Sequence, residues 1–230
     1  MKLKIALLLI VAFATLKVQG QTLLPVGSGI PSNGIHDGTV TFANQIYAAD
    51  FYQIYRWNGV TWTSMNITVD YAILCMYVYN NELYVAGWFE QFNGYPVNRI
   101  IKYDGNVWQS VGSGILVPNN FTAGVNKMVE YNGKLIVIGA FNQAGSIPVS
   151  NIASWDGNNW DSLGSGISQI ASLPSMCVFN NELYVFSQLD TAGGLPVHNA
   201  AKWNGTNWSA VGNPSFYWPV ASAVYNNNIY

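Results

Sequence analysis

The sequence predicts an all-β chain of repeated four-stranded antiparallel units, on three observations. The first is a motif written four times: RWNGVTW (Arg56–Trp62), KYDGNVW (Lys102–Trp108), SWDGNNW (Ser154–Trp160) and KWNGTNW (Lys202–Trp208). Its opening aromatics, Trp57, Tyr103, Trp155 and Trp203, are spaced by 46, 52 and 48 residues. Periods of about 40–50 residues with strand signals inside them point to the blades of a β-propeller. The second observation is a set of tight-turn dipeptides at matching places in each unit. The third is composition: 50% of the residues are hydrophobic, 14% aromatic and only 9% charged. That excludes a disordered chain and suits short strands with Asn, Ser, Thr and Gln on their polar faces.

One unit, Gly124 to Gly166, shows the plan. GVNKMVEYNGKLIVIGAFN contains two strand-like runs separated by Asn132-Gly133, and SNIASWDGNNWDSLG contains two more separated by Asp156-Gly157. Asn and Gly tolerate the positive φ that two-residue hairpin loops demand. The neighbouring units carry Asn80-Asn81 and Asn180-Asn181 at the first turn, and Asp104-Gly105 and Asn204-Gly205 at the second. Each unit therefore reads as strands A to D joined by two-residue turns at A–B and C–D. LYVAG, LIVIG and LYVFS are apolar on both faces, as strands sandwiched between stacked blades must be. The repeated aromatics Trp57, Trp62, Tyr103, Trp108, Trp155, Trp160, Trp203 and Trp208 are read as structural residues that fill the gaps between blades.

The ends of the sequence fit the same register. MKLK followed by the apolar IALLLIVAFATL and KVQG reads as a signal peptide, residues 1–20, cleaved after Gly20. The apolar run of twelve is short for a bilayer, which takes about 20 residues. Residues 21–230 then hold the repeats. LLPVGSGI (Leu23–Ile30) matches a D strand and its exit loop with no A, B or C before it, and AVYNNNIY (Ala223–Tyr230) matches an A strand and the start of a B strand. The expectation is a truncated propeller, about four complete blades plus partial ones.

Removing the leader takes Lys2, Lys4 and Lys17 with it, so nine basic side chains fall to six against eleven acidic ones, a formal charge of −5. With only Arg56 and Arg99 as arginines and no basic patch, nucleic acid is excluded as a partner. An exported chain of this kind is expected to meet an extracellular protein or a glycan. Cys75 and Cys177 have no CxxC spacing and read as buried thiols rather than metal ligands. No cofactor is expected.

The repeat WDGxxWxxLGSGI, with YNNELYVAGxF and AGGxPV, resembles the kelch-type and galactose-oxidase-type propellers. More narrowly it is similar to repeats of secreted Bacteroidetes propeller proteins, which often carry a type IX secretion sorting domain, and of the fungal cortical polarity-marker family. The resemblance spans almost all of residues 21–230 and bears on fold more than on activity. Galactose oxidase needs a copper site rich in histidine and tyrosine, but His36 and His198 are this chain's two histidines and stand in non-equivalent places. Ser154–Trp160 comes close to a sialidase Asp-box, SxDxGxTW, but lacks the residue between Asp and Gly, and a sialidase's three-arginine clamp exceeds the arginine supply. The resemblance therefore implies a binding scaffold; the alternatives are a glycan-active enzyme with its catalytic blades elsewhere, or a structural adhesin segment.

Function is expected at the end opposite the tight turns, on the longer B–C segments FEQFNGYPV, FNQAGSIPV and LDTAGGLPV and on the D–A loops that begin at GSGI. Glu90, Asn142 and Asp190 occupy matching positions and could form a polar arc; Tyr95 could stack on a sugar ring; His198 follows the PV of its loop. Asp104 and Asp156 could be read as calcium ligands, but Asn58 and Asn204 stand in the same slot, which favours a turn role.

Overall fold

The computed structural model describes residues 17–18, 21–22, 30, 39–117, 123–168, 171–212 and 221–230, with backbone only for 17–18, 21–22 and 171–173. The expected leader, apart from Lys17–Val18, and the expected D strand of Leu23–Ile30, apart from Ile30, lie outside these residues, as does His36. Lys17–Val18 pairs with Gln21–Thr22.

The chain is an all-β propeller of four-stranded antiparallel blades. Blade 1 is Thr39–Phe42, Gln45–Ala49, Ile54–Trp57 and Trp62–Ser64. Blade 2 is Ile73–Tyr79, Glu82–Gly87, Ile100–Tyr103 and Trp108–Ser110. Blade 3 is Val125–Tyr131, Lys134–Gly139, Ile152–Trp155 and Trp160–Ser162. Blade 4 is Ala171–Phe179, Glu182–Gln188, Ala200–Trp203 and Trp208–Ala210. In each, the strands hydrogen-bond in the order A-B-C-D. A further hairpin, Val224–Tyr225 with Asn228–Ile229, repeats the A–B start. A strands of successive blades lie beside one another, so the A edge faces the axis and the D edge faces out.

The A–B turns follow the expectation. Both central residues have positive φ in every blade: Asn80 and Asn81 at 48° and 61°, Asn132 and Gly133 at 49° and 69°, Asn180 and Asn181 at 48° and 60°. These are the left-handed pairs that match strand twist. The C–D turns correct the expectation. Trp57 pairs with Trp62, Tyr103 with Trp108, Trp155 with Trp160 and Trp203 with Trp208, which leaves four residues in each loop rather than two. The loop's first residue keeps negative φ, and only the following glycine is left-handed, at 99° to 104°. Its side chain replaces the missing ladder bonds. Asp156 Oδ1 accepts the amides of Asn158 and Asn159, both at 2.7 Å, and Asn204 Oδ1 accepts those of Thr206 and Asn207.

Blade faces bury each other. The gap between blades 2 and 3 holds Tyr84, Val111, Ile115, Leu135, Val137 and Trp160; the next gap repeats the pattern with Ile136, Leu163, Ile167, Leu183, Val185 and Trp208. Trp160 Nε1 donates to the Val111 carbonyl at 3.2 Å and Trp208 Nε1 to that of Leu163 at 2.8 Å, so each outer tryptophan is tied to the preceding blade. At the turn end, Tyr79 Oη donates to the Gly133 carbonyl and Tyr131 Oη to that of Asn181, tying each blade to the next. Within a blade the two aromatics of the C–D hairpin meet at centroid distances of 4.7–5.4 Å. Such ring pairs add about 0.5–1.5 kcal/mol, less than the roughly 3–5 kcal/mol lost when a buried Trp is truncated. Gap filling is therefore the larger role. The same arrangement continues on blade 1, where Ile30 packs against Ala48, Tyr55 and Trp62.

Candidate functional site: the loop end and the axis

The B–C segments are not open loops. Each folds into a small hairpin: Gln91–Phe92 with Tyr95–Pro96, Gln143–Ala144 with Ile147–Pro148, and Thr191–Ala192 with Leu195–Pro196. Asn93-Gly94, Gly145 and Gly193-Gly194 supply the left-handed residues at their tips. The D–A segment of the preceding blade adds on. Ile115–Leu116 pairs with Gln143–Ala144, while Val69 bridges Phe92 and Ile167 bridges Ala192. The repeated GSGI owes its second glycine to this junction. Gly114 and Gly166 have φ of 71° and 74°, and a Cβ on either would press into the carbonyl of Asn98 or Ser150. Those carbonyls accept the amides of Ile115 and Ile167, and the Gly114 and Gly166 carbonyls accept the amides of Gly145 and Gly193. The loop end is thus a braced platform spanning successive blades.

The structure puts Glu90, Asn142 and Asp190 in one slot of this platform. The carbonyl of each accepts the amide that closes its hairpin, from Val97, Val149 and Val197, at 2.8, 2.9 and 2.8 Å. Their side chains differ in fate. Asn142 and Asp190 are exposed. Glu90 is instead ion-paired with Arg99, whose side chain is 2% exposed. Arg99 Nε also donates to the Ala123 carbonyl at 2.8 Å, which ties blade 2 to the entry of blade 3. The sequence places Glu90 in a polar arc open to a ligand and assigns Arg99 no role; the pairing takes Glu90 out of that arc. The signal was that Arg99 stands where Asn151 and Asn199 stand, a left-handed slot at φ 61° to 62° that suits Asn. Tyr95 lies 73% exposed beside the tip of its hairpin, and His198 is exposed on the blade 4 platform.

Asp104 and Asp156 sit at the opposite end. The two backbone amides that each accepts hold both carboxyls below the usual aspartate range. Cys75 and Cys177 are buried on the A strands of blades 2 and 4 and are not joined in a disulfide, and burial pushes the Cys177 thiol up. Among the described residues, no group of three His, Cys, Asp or Glu side chains could hold a metal ion, and no helix is long and apolar enough to cross a membrane.

A second concavity lies at the axis. A cavity of about 260 Å³ is lined by the A strands of blades 2 to 4 and by the segment leading into the last hairpin. Met76, Met128 and Met176 line it, and they occupy the same register, opposite Val85, Val137 and Val185. The sequence carried this signal unnoticed: each methionine precedes its A–B turn by the same interval, in MYVYNN, MVEYNG and MCVFNN. Lys127 lines the cavity from the position held by Cys75 and Ser175 in the neighbouring blades, and Ser175 Oγ meets Ser222 Oγ at 2.8 Å.

Comparison with known proteins agrees with this geometry. A model of the "Domain of unknown function (DUF5122) beta-propeller" family matches residues 80–106, the stretch from the A–B turn to the C–D turn of blade 2. Among solved structures, the chain is similar to the extracellular domain of a proposed one-component system of B. thetaiotaomicron. The TM-score is 0.59 at 8% identity, over 91% of this chain and 27% of that one. The chain therefore spans about a quarter of that protein's length, and the likeness is one of fold. No curated protein matches the sequence.

Proposed function

We propose that this protein is a secreted or cell-surface propeller that binds an extracellular protein or glycan at its loop end without transforming it. The observation that carries this reading is the platform itself: one backbone frame, repeated blade after blade, presents different side chains in matching slots. Glu90, Asn142 and Asp190 fill one slot, and Asn98, Ser150 and His198 another. Rigid scaffolds that vary only what they display are how repeat proteins build recognition surfaces. The exposed Tyr95 ring offers an apolar face for a sugar or a side chain. Export is supported by the leader-like residues 1–20 and by the extracellular placement of the B. thetaiotaomicron domain. The kelch- and galactose-oxidase-type repeat style, and its likeness to type IX secreted Bacteroidetes proteins, belong to the same reading.

The test is a binding screen of the secreted protein against immobilised polysaccharides and matrix proteins. A Tyr95→Ala/Asp190→Ala/His198→Ala variant should lose the interaction and keep its unfolding midpoint. Full binding by that variant would move the site off the loop end. Release of new reducing ends from a bound polysaccharide would replace the scaffold reading with an enzymatic one. The N-terminus of the exported chain should be Gln21.

A further inference from the structure

We infer, resting on the loop-end reading above, that binding centres on an aromatic strip across blades 1 and 2 and that its ligand is a neutral oligosaccharide. Blade 1 interrupts the platform. Its B and C strands are joined by the four-residue turn 50–53 in place of a hairpin, so the blade 2 hairpin stands over a step. Asp50 holds that turn. Its amide donates to the Gln53 carbonyl, and its Oδ1 accepts the amides of Tyr52 and Gln53 at 2.8 and 2.7 Å. Asn58, Asp104, Asp156 and Asn204 make the same bonds at the opposite end. There the next two residues are Gly and then Val, Asn or Thr, so the bonds need no aromatic side chain. In blade 1 they are Phe51 and Tyr52, both exposed, with ring centroids 6.1 Å apart.

Tyr71 extends the strip toward blade 2. The Ile73 amide donates to the Phe51 carbonyl at 2.8 Å, which sets the entry of blade 2 against the blade 1 turn. On the other side of Tyr71, Asp70 Oδ1 accepts the amides of Glu90 and Gln91 at the base of the blade 2 hairpin. Gly87 abuts the Ala72 carbonyl as Gly139 abuts that of Gly124, so Tyr71 and Ala123 hold the same place before their blades. Tyr71 is 40% exposed there and Ala123 is 2% exposed, so packing does not call for the ring. Tyr95 carries the strip onto the hairpin. Among the described residues, blades 3 and 4 add only Leu195 to the exposed large apolar side chains of the loop end. Rings held along a rigid edge suit the C–H faces of successive sugar rings, and the tyrosine hydroxyls suit the hydroxyls at their rims. Charge narrows the sugar. Asp50 and Asp70 border the rings, while the buried Arg99 guanidinium is paired with Glu90. An acidic chain would meet like charge with no accessible guanidinium to offset it.

Cellohexaose and maltohexaose are suitable probes, with hexagalacturonate as the acidic counterpart, titrated calorimetrically into the full chain. At least one neutral hexamer should bind saturably, and about tenfold or more tightly than hexagalacturonate. Tyr52→Ala/Tyr71→Ala should weaken that binding about tenfold or more, whereas Tyr52→Phe/Tyr71→Phe should keep it within about threefold, because the second pair retains both rings. Both variants change exposed side chains and should keep the parent's unfolding midpoint. Absence of saturable binding by both neutral hexamers overturns the inference. So does equal affinity for the acidic hexamer, a comparison that needs no variant to fold. Asp190→Ala/His198→Ala should leave hexamer binding unchanged. Should that variant lose the sugar while Tyr52→Ala/Tyr71→Ala keeps it, or should the protein bind matrix proteins alone, the loop-end reading stands and the aromatic strip falls.

Discussion

The two ends of the blades are built on opposite plans. At the turn end the same local problem is solved in the same way each time. Asn58, Asp104, Asp156 and Asn204 each hold two amides of a four-residue loop through one side-chain oxygen. Asn and Asp alternate there because either supplies that oxygen. At the loop end the frame also repeats, but it dictates less. Arg99, Asn151 and Asn199 share one backbone conformation and do different work. Asn151 Nδ2 donates to the Ile167 carbonyl in the D–A segment leading to blade 4, whereas Arg99 Nε donates to the Ala123 carbonyl at the approach to blade 3 and its guanidinium also pairs with Glu90. Identity at the turn end thus reports backbone need, and variety at the loop end reports what each blade does beyond folding.

Both plans hang on the packed gaps between blades, so the largest effect is expected there. Trp160→Ala empties part of the gap and removes the indole bond to the Val111 carbonyl, which keeps only the Gly114 amide, and it should cost about 3–5 kcal/mol in denaturant unfolding. A loss under about 1 kcal/mol, the scale of an ordinary surface change, would show that the gap does not carry the frame. Next comes the loop-end exception. Glu90→Ala leaves a guanidinium that is 2% exposed without its carboxylate, at a cost of about 2 kcal/mol after allowing for Glu90's own partial exposure. Arg99→Asn removes the buried charge altogether and restores the residue type of the other two blades. It gives up the bond to Ala123 and should cost about 1 kcal/mol. The order matters more than the sizes. If Arg99→Asn is the more damaging, the tie to blade 3, and not the burial of charge, holds this junction.

The repeat and its strands were legible because they rest on local chemistry. NG and NN pairs demand left-handed backbone, and a Trp on either side of a DG loop marks where two strands meet. The C–D loop length was misread because an Asp-Gly pair also opens a four-residue turn, and the side-chain oxygen that decides the matter leaves no trace in the dipeptide. The Arg99–Glu90 pair was hidden for a different reason. It forms only when the B–C segment folds back on itself, and nothing at either position announces that hairpin. The braced platform joins residues such as Ile115 and Ala144, whose pairing depends on how blades stack. The axial methionines were readable from spacing alone, but three methionines acquire meaning only once their strands are known to face one cavity.

The smallest effect tests the turn-end plan itself, and its sign follows from the carboxyl pKa. Asp104 and Asp156 are held below the usual aspartate range, chiefly by the amides of Val107 and Asn106 in one case and Asn159 and Asn158 in the other. A carboxyl depressed in the folded state stabilises fully above its unfolded pKa, near 4, and that contribution fades as pH falls through the lower folded value. Asp156→Asn keeps the accepting oxygen and removes the titration. It should leave the unfolding midpoint at neutral pH close to that of the parent, and the gap between the two proteins should shift in favour of the variant as pH drops below about 4. Asp156→Ala discards the oxygen and should be the less stable of the two at every pH. Asn204 holds the same turn in blade 4, so Asn204→Asp should behave as the reverse experiment and gain an acid-dependent loss that the parent lacks. Were Asn and Ala equivalent at position 156, the carboxyl's charge, and not its hydrogen bonds, would be what the turn requires, and the free exchange of Asn for Asp between blades would lose its explanation.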